Sequence, residues 1–165
     1  VSEQFEVRRA KREDLATIAS LVDQATGSRH QPDEGEVMGW LLSRGLWVAL
    51  LDNSLVGVAA WQAENLVSVT DVFYISPDRL WTDAGSRLME TIEGEAKTLM
   101  CEVNAVLLPA WIPEKASSFF QQQGYESQAF ADLHRYWREV LQDFVTGDST
   151  LLVKRLRDRM VMSPP

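Results

Sequence analysis

The sequence predicts an α/β fold, with a mixed, mostly antiparallel central sheet and helices on both faces. Three observations predict it. Apolar runs of strand length alternate along the chain with stretches of helical period. Three strands in the middle of the chain follow one another across short turns, so they meander antiparallel. A strand, helix, strand unit comes next, and parallel strands need such a crossover, which lays a helix on the sheet.

The elements follow in order. Phe5, Val7 and Arg9 alternate with Glu6 and Arg8, a short strand. Leu15, Ile18, Ala19 and Val22 fall at helical spacing, with Glu13 and Asp14 at the positive end of that helix's dipole and Gly27 past its end. The polar stretch 28–33 leads into a short helix over 34–42. The apolar run 46–51, the turn Asp52-Asn53-Ser54 and the run 55–61 make a hairpin. Glu64-Asn65 turns the chain into a third strand, 66–75, rich in Val, Thr, Phe and Tyr, which Pro77 stops. Leu88, Ile92, Ala96 and Leu99 mark a helix that starts near 82–85, and 103–108 is a buried strand. Pro113 suits the first turn of the next helix, whose apolar face is Ala116, Phe119 and Phe120. Gly124 ends that helix in the left-handed conformation, and Tyr125 begins another strand. Leu133, Trp137, Val140, Leu141 and Phe144 share one face of a last helix, either packed on its own sheet or forming a homodimer face. Gly147-Asp148 breaks it, and 151–156 is the closing strand.

Composition bounds the function. A chain of 165 residues suits one domain, placed here at 3–157 with a C-terminal tail at 158–165. The net charge of −8 makes nucleic acid a poor partner and suits a cationic amine or simple solubility. The single cysteine, Cys101, permits no intrachain disulfide and has no basic neighbour, so it reads as a packing residue. No apolar run has the length of a membrane span, and the polar opening Val1-Ser2-Glu3-Gln4 does not look like a signal peptide. A cytoplasmic protein without membrane partners is expected.

The most informative segment is the junction from strand to helix at 67–89. A helix N-terminus offers unpaired N–H groups and a positive dipole end, a site for a pyrophosphate. Gly85 lets a ligand approach the backbone, and Ala84 and Ser86 are small.

The run Tyr74-Ile75-Ser76-Pro77, followed by a loop and Gly85-Ser86-Arg87-Leu88-Met89, resembles the central motif of the GNAT N-acetyltransferases. The run 116–125, ending in Gly124-Tyr125, resembles that family's later helix, and 5–10 and 152–156 resemble its first and last strands. The resemblance covers about 5–157. It implies a GNAT-like acyl-CoA acyltransferase fold and acetyl-coenzyme A as acyl donor. The acceptor it implies is an amine of a small molecule or a protein. Carried over, the backbone of Phe73 and Ile75 pairs with the pantetheine arm, Thr82, Asp83, Ala84, Gly85 and Ser86 hold the pyrophosphate, and Phe120 lies by the cofactor.

Departures from the family pattern are specific. Its loop reads Gln or Arg, two residues, Gly, one residue, then Gly or Ala; here Leu80 takes the basic place and Asp83 the first Gly. Asp83 is favourable as an exposed helix cap and repulsive beside a phosphate. Arg79 and Arg87 stand near enough in sequence to offset it. Phe120 stands where a Tyr would protonate the leaving thiolate, and Pro113 where an Asn would touch cofactor. These departures motivate the alternative of a GNAT-like module that binds cofactor or a protein without turnover.

For the base, Asp71 is the leading candidate, expected on one face with Val69, Phe73 and Ile75; a backbone-bonded edge carboxylate is the other reading. Glu64, His30 and His134 are lesser candidates. No Cys or His cluster has metal-ligand spacing. Of the six Trp, Trp47, Trp61 and Trp137 read as packing, and Trp40, Trp81 and Trp111 as residues able to line a cleft.

Overall fold

The computed structural model describes residues 3–109, 112 and 114–158. Trp111 and Pro113, singled out above, lie outside the described residues. Seven strands follow the order β1-β2-β3-β4-β5-β7-β6. The chain divides into two compact units. One reaches to Trp61 and resumes over Val72–Thr91; the other holds Gln62–Asp71 and everything described from Ile92 onward.

In the first unit β1 (Phe5–Arg9) pairs antiparallel with β2 (Gly45–Leu51), which pairs antiparallel with β3 (Ser54–Glu64). The β2–β3 turn puts Asp52 and Asn53 at φ 48° and 70°, the left-handed pair a tight hairpin needs and Asn and Asp tolerate. On one face, α1 (Leu15–Ala25) and α2 (Glu34–Ser43) bury Ile18, Leu21, Val22 and Val37 against Val48, Leu50, Val58 and Ala60. Val72 and Tyr74, from the end of β4 (Val67–Ile75), complete this cluster. The opposite face is closed by α3 (Trp81–Thr98). A Cβ on Gly57 would lie 2.9 Å from Ile75 Cδ1 and 3.1 Å from Leu88 Cδ1, so only glycine lets the helix lie this near the strand. Before α1, Arg8 grips Asp14 with both terminal guanidinium nitrogens, at 2.8 and 3.0 Å, and the Lys11 N–H donates to the same carboxylate at 2.7 Å. The guanidinium holds the Asp14 carboxyl below its ordinary range.

In the second unit β4 pairs with β5 (Val103–Pro109) in parallel, the one parallel ladder among those described. It has four pairs, from Val67↔Val103 to Thr70↔Val106. β7 (Ser149–Arg155) runs antiparallel along the whole of β5, and β6 (Glu126–Ser127) adds two pairs at the edge. Val67, Val69, Val103, Ala105, Leu107, Leu151 and Val153 form a core with Leu133, Val140 and Leu141 of α5 (Arg135–Leu141) and the residues before it. That face of α5 is therefore spent on its own unit. Asn104 points the other way, toward Tyr125 and the Glu93 of α3. No described helix is long and apolar enough to cross a membrane.

The element order is the one the sequence predicts, with α4 at Glu114–Gln122. Several bounds differ, three of them for a visible reason. β6 has two residues and no longer strand follows Tyr125. α5 is shorter than 133–144, because Leu133 is extended at ψ 155° and the His134 ring nitrogen accepts the Tyr136 N–H at 3.2 Å, capping the helix there. A 3-10 turn at Asp78–Leu80 leads into α3, which starts at Trp81.

Two helices end in the same motif. At α4, Tyr125 N–H bonds Phe120 O and Gly124 N–H bonds Gln121 O, with Gly124 at φ 96°. At α3, Cys101 N–H bonds Ala96 O and Met100 N–H bonds Lys97 O, but the left-handed residue is Met100, at φ 65°. A Cβ there costs energy that glycine does not incur. Met100 is 52% exposed, so little burial is lost with its side chain. Met100→Gly is expected to stabilise the fold by about 0.5–1 kcal/mol, a rise of roughly 1–4 °C in Tm by differential scanning calorimetry, the left-handed penalty outweighing glycine's extra unfolded-state entropy.

Candidate active site

The β4–β5 ladder stops at Thr70↔Val106, although β5 continues to Pro109 with β7 on its other side. At that point a cleft of about 640 Å³ opens in the second unit. Asp71, the residue after the last pair, lines it with Leu107, Leu108 and Pro109. Phe144, Thr146 and Asp148, from the segment between α5 and β7, and Ser149, the first residue of β7, form the remaining wall. Thr146 and Ser149 share a hydroxyl–hydroxyl hydrogen bond of 2.9 Å, and Ser149 N–H donates to Thr146 O at 3.1 Å, so the turn carrying Asp148 is tied at both ends. Two carboxylates and an aromatic ring thus share one cleft with no basic residue in its described lining. Such a lining favours a cation with an apolar stem.

Asp71 is half-buried. Of the residues expected on its face, Val69 belongs to the core beneath α5. Phe73 lies 5.6 Å from the Trp81 ring, and Ile75 packs toward Gly57. The cleft-lining segment 144–149 escapes a sequence reading, which sees only a helix breaker at Gly147-Asp148.

A buried polar network backs the same ladder. Ser68 Oγ donates to Asn104 Oδ1 at 2.7 Å and Thr70 Oγ1 to the same atom at 3.3 Å. Asn104 Nδ2 donates to the Tyr125 hydroxyl at 2.8 Å, and that hydroxyl donates to Glu93 Oε2 at 2.9 Å. Lys154 Nζ reaches Glu93 Oε1 at 2.8 Å. Burial, with the adjacent Glu93 carboxylate, pushes the Tyr125 phenol far up. Two signals for this network were present in the sequence: Asn104 interrupts an apolar strand, and Glu93 follows Met89 by one turn on the apolar stripe of α3.

At the start of α3, Thr82 and Asp83 are exposed, Ser86 is half-buried, and Ala84 and Gly85 are buried. Leu80 and Trp81, at the family's motif positions, are buried to 1% and 5% exposure. Arg87 donates to the Asp83 carbonyl at 2.7 Å and lies over the Phe5 ring at 4.3 Å. Arg79 lies 4.0 Å from Glu3. The donor set of helix N–H groups, small side chains and two guanidiniums fits a pyrophosphate, with Asp83 as the one opposing charge.

The other candidates fall elsewhere. Phe120 is fully buried, its ring edge-on to Phe119 and Tyr125. His30 Nε2 meets Glu36 Oε2 at 2.6 Å, and its Nδ1 lies 3.4 Å from the Tyr74 hydroxyl, in the first unit. His134 is a helix cap and Glu64 an exposed strand end. Cys101 is buried, which pushes its thiol up and fits a packing role. Trp81 is core, Trp40 packs edge-on to His30, and Trp137 Nε1 donates to Glu102 at 3.4 Å. The described residues hold no cluster suited to a metal ion.

No family model matches the sequence, and no curated protein matches it. Solved structures do match. An acetyltransferase of the GNAT family from Staphylococcus aureus superposes with TM-score 0.75 at 14% identity, over 93% of this chain and 100% of that one. The PaiA N-acetyltransferase of Thermoplasma acidophilum, crystallised with coenzyme A, gives 0.70 at 12% identity, over 92% and 99%. A ribosomal-protein-alanine N-acetyltransferase from Brucella melitensis gives 0.66 at 17%, over 91% and 99%. The fold is that of the GNAT acetyltransferases. The GNAT-like architecture expected from the sequence is therefore present, and the strand order and the parallel β4–β5 ladder are parts of it.

The network behind the ladder carries a prediction. Tyr125→Phe keeps the ring packing and removes the hydroxyl that Asn104 and Glu93 share, leaving two buried groups short of a partner. A loss of about 2–3 kcal/mol is expected, read as a fall of roughly 4–12 °C in Tm; a loss below about 1 kcal/mol would mean water replaces the hydroxyl.

Proposed function

We propose that this chain is a cytoplasmic N-acyltransferase that moves an acetyl group from acetyl-coenzyme A to an amine of a small molecule or a protein. Residues 3–157 act in this reading as one domain, with 158–165 as a tail. The observation that carries it is Asp71, placed where the β4–β5 ladder ends and the cleft opens, in a fold that acetyltransferases share.

Each residue has a role that its setting supports. Thr82, Asp83, Ala84, Gly85 and Ser86 hold the pyrophosphate at the positive end of α3, the free N–H groups of its first turn donating, with Arg79 and Arg87 at hand. The backbone of Phe73 and Ile75 pairs with the pantetheine arm. Bound acetyl-coenzyme A supplies an activated acyl carbon. Asp71 accepts a proton from the acceptor nitrogen as its bond to that carbon forms and the carbon–sulfur bond breaks. Phe120 has no hydroxyl and lies in the core, so it would supply no proton to the departing sulfur. Holding both reactants in one geometry supplies much of the acceleration.

Leu80 and Asp83 favour a second reading, a module of this fold that binds without turnover. One set of measurements separates the two. Acetyl-coenzyme A at about 100 times its dissociation constant adds about 2.7 kcal/mol, or roughly 5–10 °C in Tm. Asp71→Asn is expected to keep that shift while lowering thiol release by about 10²–10⁴-fold. An unchanged rate removes Asp71 as the base. Asp83→Asn is expected to tighten the cofactor; no gain means that its carboxylate points away from the phosphates. A thermal shift with no thiol released by any amine supports the second reading.

A further inference from the structure

We propose that the outer side of α5 carries a binding site for a small organic carboxylate, with Arg138 as the residue that grips its charge. None of the residues involved has a part in acetyl transfer, so this site stands apart from that reading. Arg135, Arg138 and Glu139 from α5, Gln142 at its end and Phe130 from the 3-10 turn before it line a pocket of about 290 Å³. Arg135, Arg138 and Gln142 follow one another by about one helical turn, so their side chains leave the helix on one side. Val140 and Leu141 point the other way, into the core of the unit.

A second observation, independent of the pocket, calls for an anion. Arg138 is half-buried, and its Nε–H is shut away from solvent with no acceptor among the described residues. A donor withdrawn from water without a partner is costly, more so on a charged group, and native folds keep few of them. The chain has 24 acidic residues against 16 Lys and Arg, so carboxylates are plentiful, yet none is set against this guanidinium. Glu139 lines the pocket, but it is exposed and makes no ion pair with either arginine. Arg135 is steadied by Tyr136, whose hydroxyl accepts its Nη2–H at 3.1 Å and whose ring lies 4.9 Å beneath its guanidinium.

The orphaned donor specifies the ligand. The Nε–H edge of a guanidinium, with the adjacent Nη–H, matches the two oxygens of a carboxylate. Arg135 adds a second positive charge, and the Gln142 amide a further donor. Phe130 offers a ring surface for the apolar body of the ligand, which a bare inorganic anion does not use. The lining has two guanidiniums and one carboxylate, so it is positive within a chain of net charge −8. The field of the whole chain repels anions, and binding here draws on these contacts alone.

The test titrates benzoate into the full chain by calorimetry, without coenzyme A, beside benzyl alcohol and inorganic phosphate. Benzoate is expected to bind with a Kd of about 1 mM or tighter. Benzyl alcohol keeps the ring without the charge, and phosphate keeps charge without the ring; each is expected to bind about 10-fold more weakly or worse. Arg138→Met is expected to weaken benzoate by about 10-fold or more, and Arg138→Lys to recover little of that, since an ammonium has no fork. Free of ligand, Arg138→Met is expected to melt at the native temperature or above it, because it gives up a half-buried charge that has no partner. No benzoate binding, phosphate bound as tightly as benzoate, or benzoate binding that both variants leave unchanged overturns the proposal. So does an Arg138→Met chain that melts well below the native one, since Arg138 would then serve the fold.

Discussion

The four-pair parallel ladder between β4 and β5 is the constraint on which the rest depends. Buried backbone groups need partners, and a strand that loses one neighbour must be satisfied otherwise or lie open. β5 keeps β7 along its full length, so from Leu107 to Pro109 it has a strand on one side and the cleft on the other. The cleft is therefore a product of strand pairing, and no loop insertion is needed to make it. Asp71 is at its mouth because it is the first residue of β4 past the last pair.

What stops the ladder from slipping lies on its two faces. Val67, Val69, Val103 and Ala105 belong in the apolar core with α5, and a one-residue shift would turn them out of it. On the reverse, Asn104 accepts hydrogen bonds from both Ser68 and Thr70, and one register alone brings the three together. The apolar side supplies stabilisation and the polar side supplies uniqueness, since a half-made buried network costs more than none. Glu93 and Lys154 extend that lock to α3 and β7.

The sequence made the architecture legible because each element carries its own period and its own stop signal. The hairpin turn at Asp52-Asn53 and the helix end at Gly124 are local chemistry, and both have the positive φ that their residues suggest. The end of α3 was legible as a helix end only through loss of the apolar pattern, because Met100 holds a position where glycine is usual. Asp71 could be picked out because a carboxylate in a run of Val, Thr and Phe is conspicuous. Asp148 could not, because a Gly-Asp pair is an ordinary turn, and its place in the same cleft as Asp71 depends on the long-range pairing of β5 with β7. The two-residue length of β6 was hidden for the same reason, since tertiary pairing sets it.

That short β6 bears on how the molecule behaves at high concentration. It covers β7 only at Leu152 and Val153, so the outer margin of the sheet is not sealed along its length. An open strand margin invites another chain to add to it and start a fibre. Here the margin continues past β6 into Lys154 and Arg155, while β6 itself is the exposed pair Glu126 and Ser127. A strand arriving there would have to bury the exposed Glu126 carboxylate and the Arg155 guanidinium, so charge placement keeps this sheet finite where hydrogen bonding alone would let it grow.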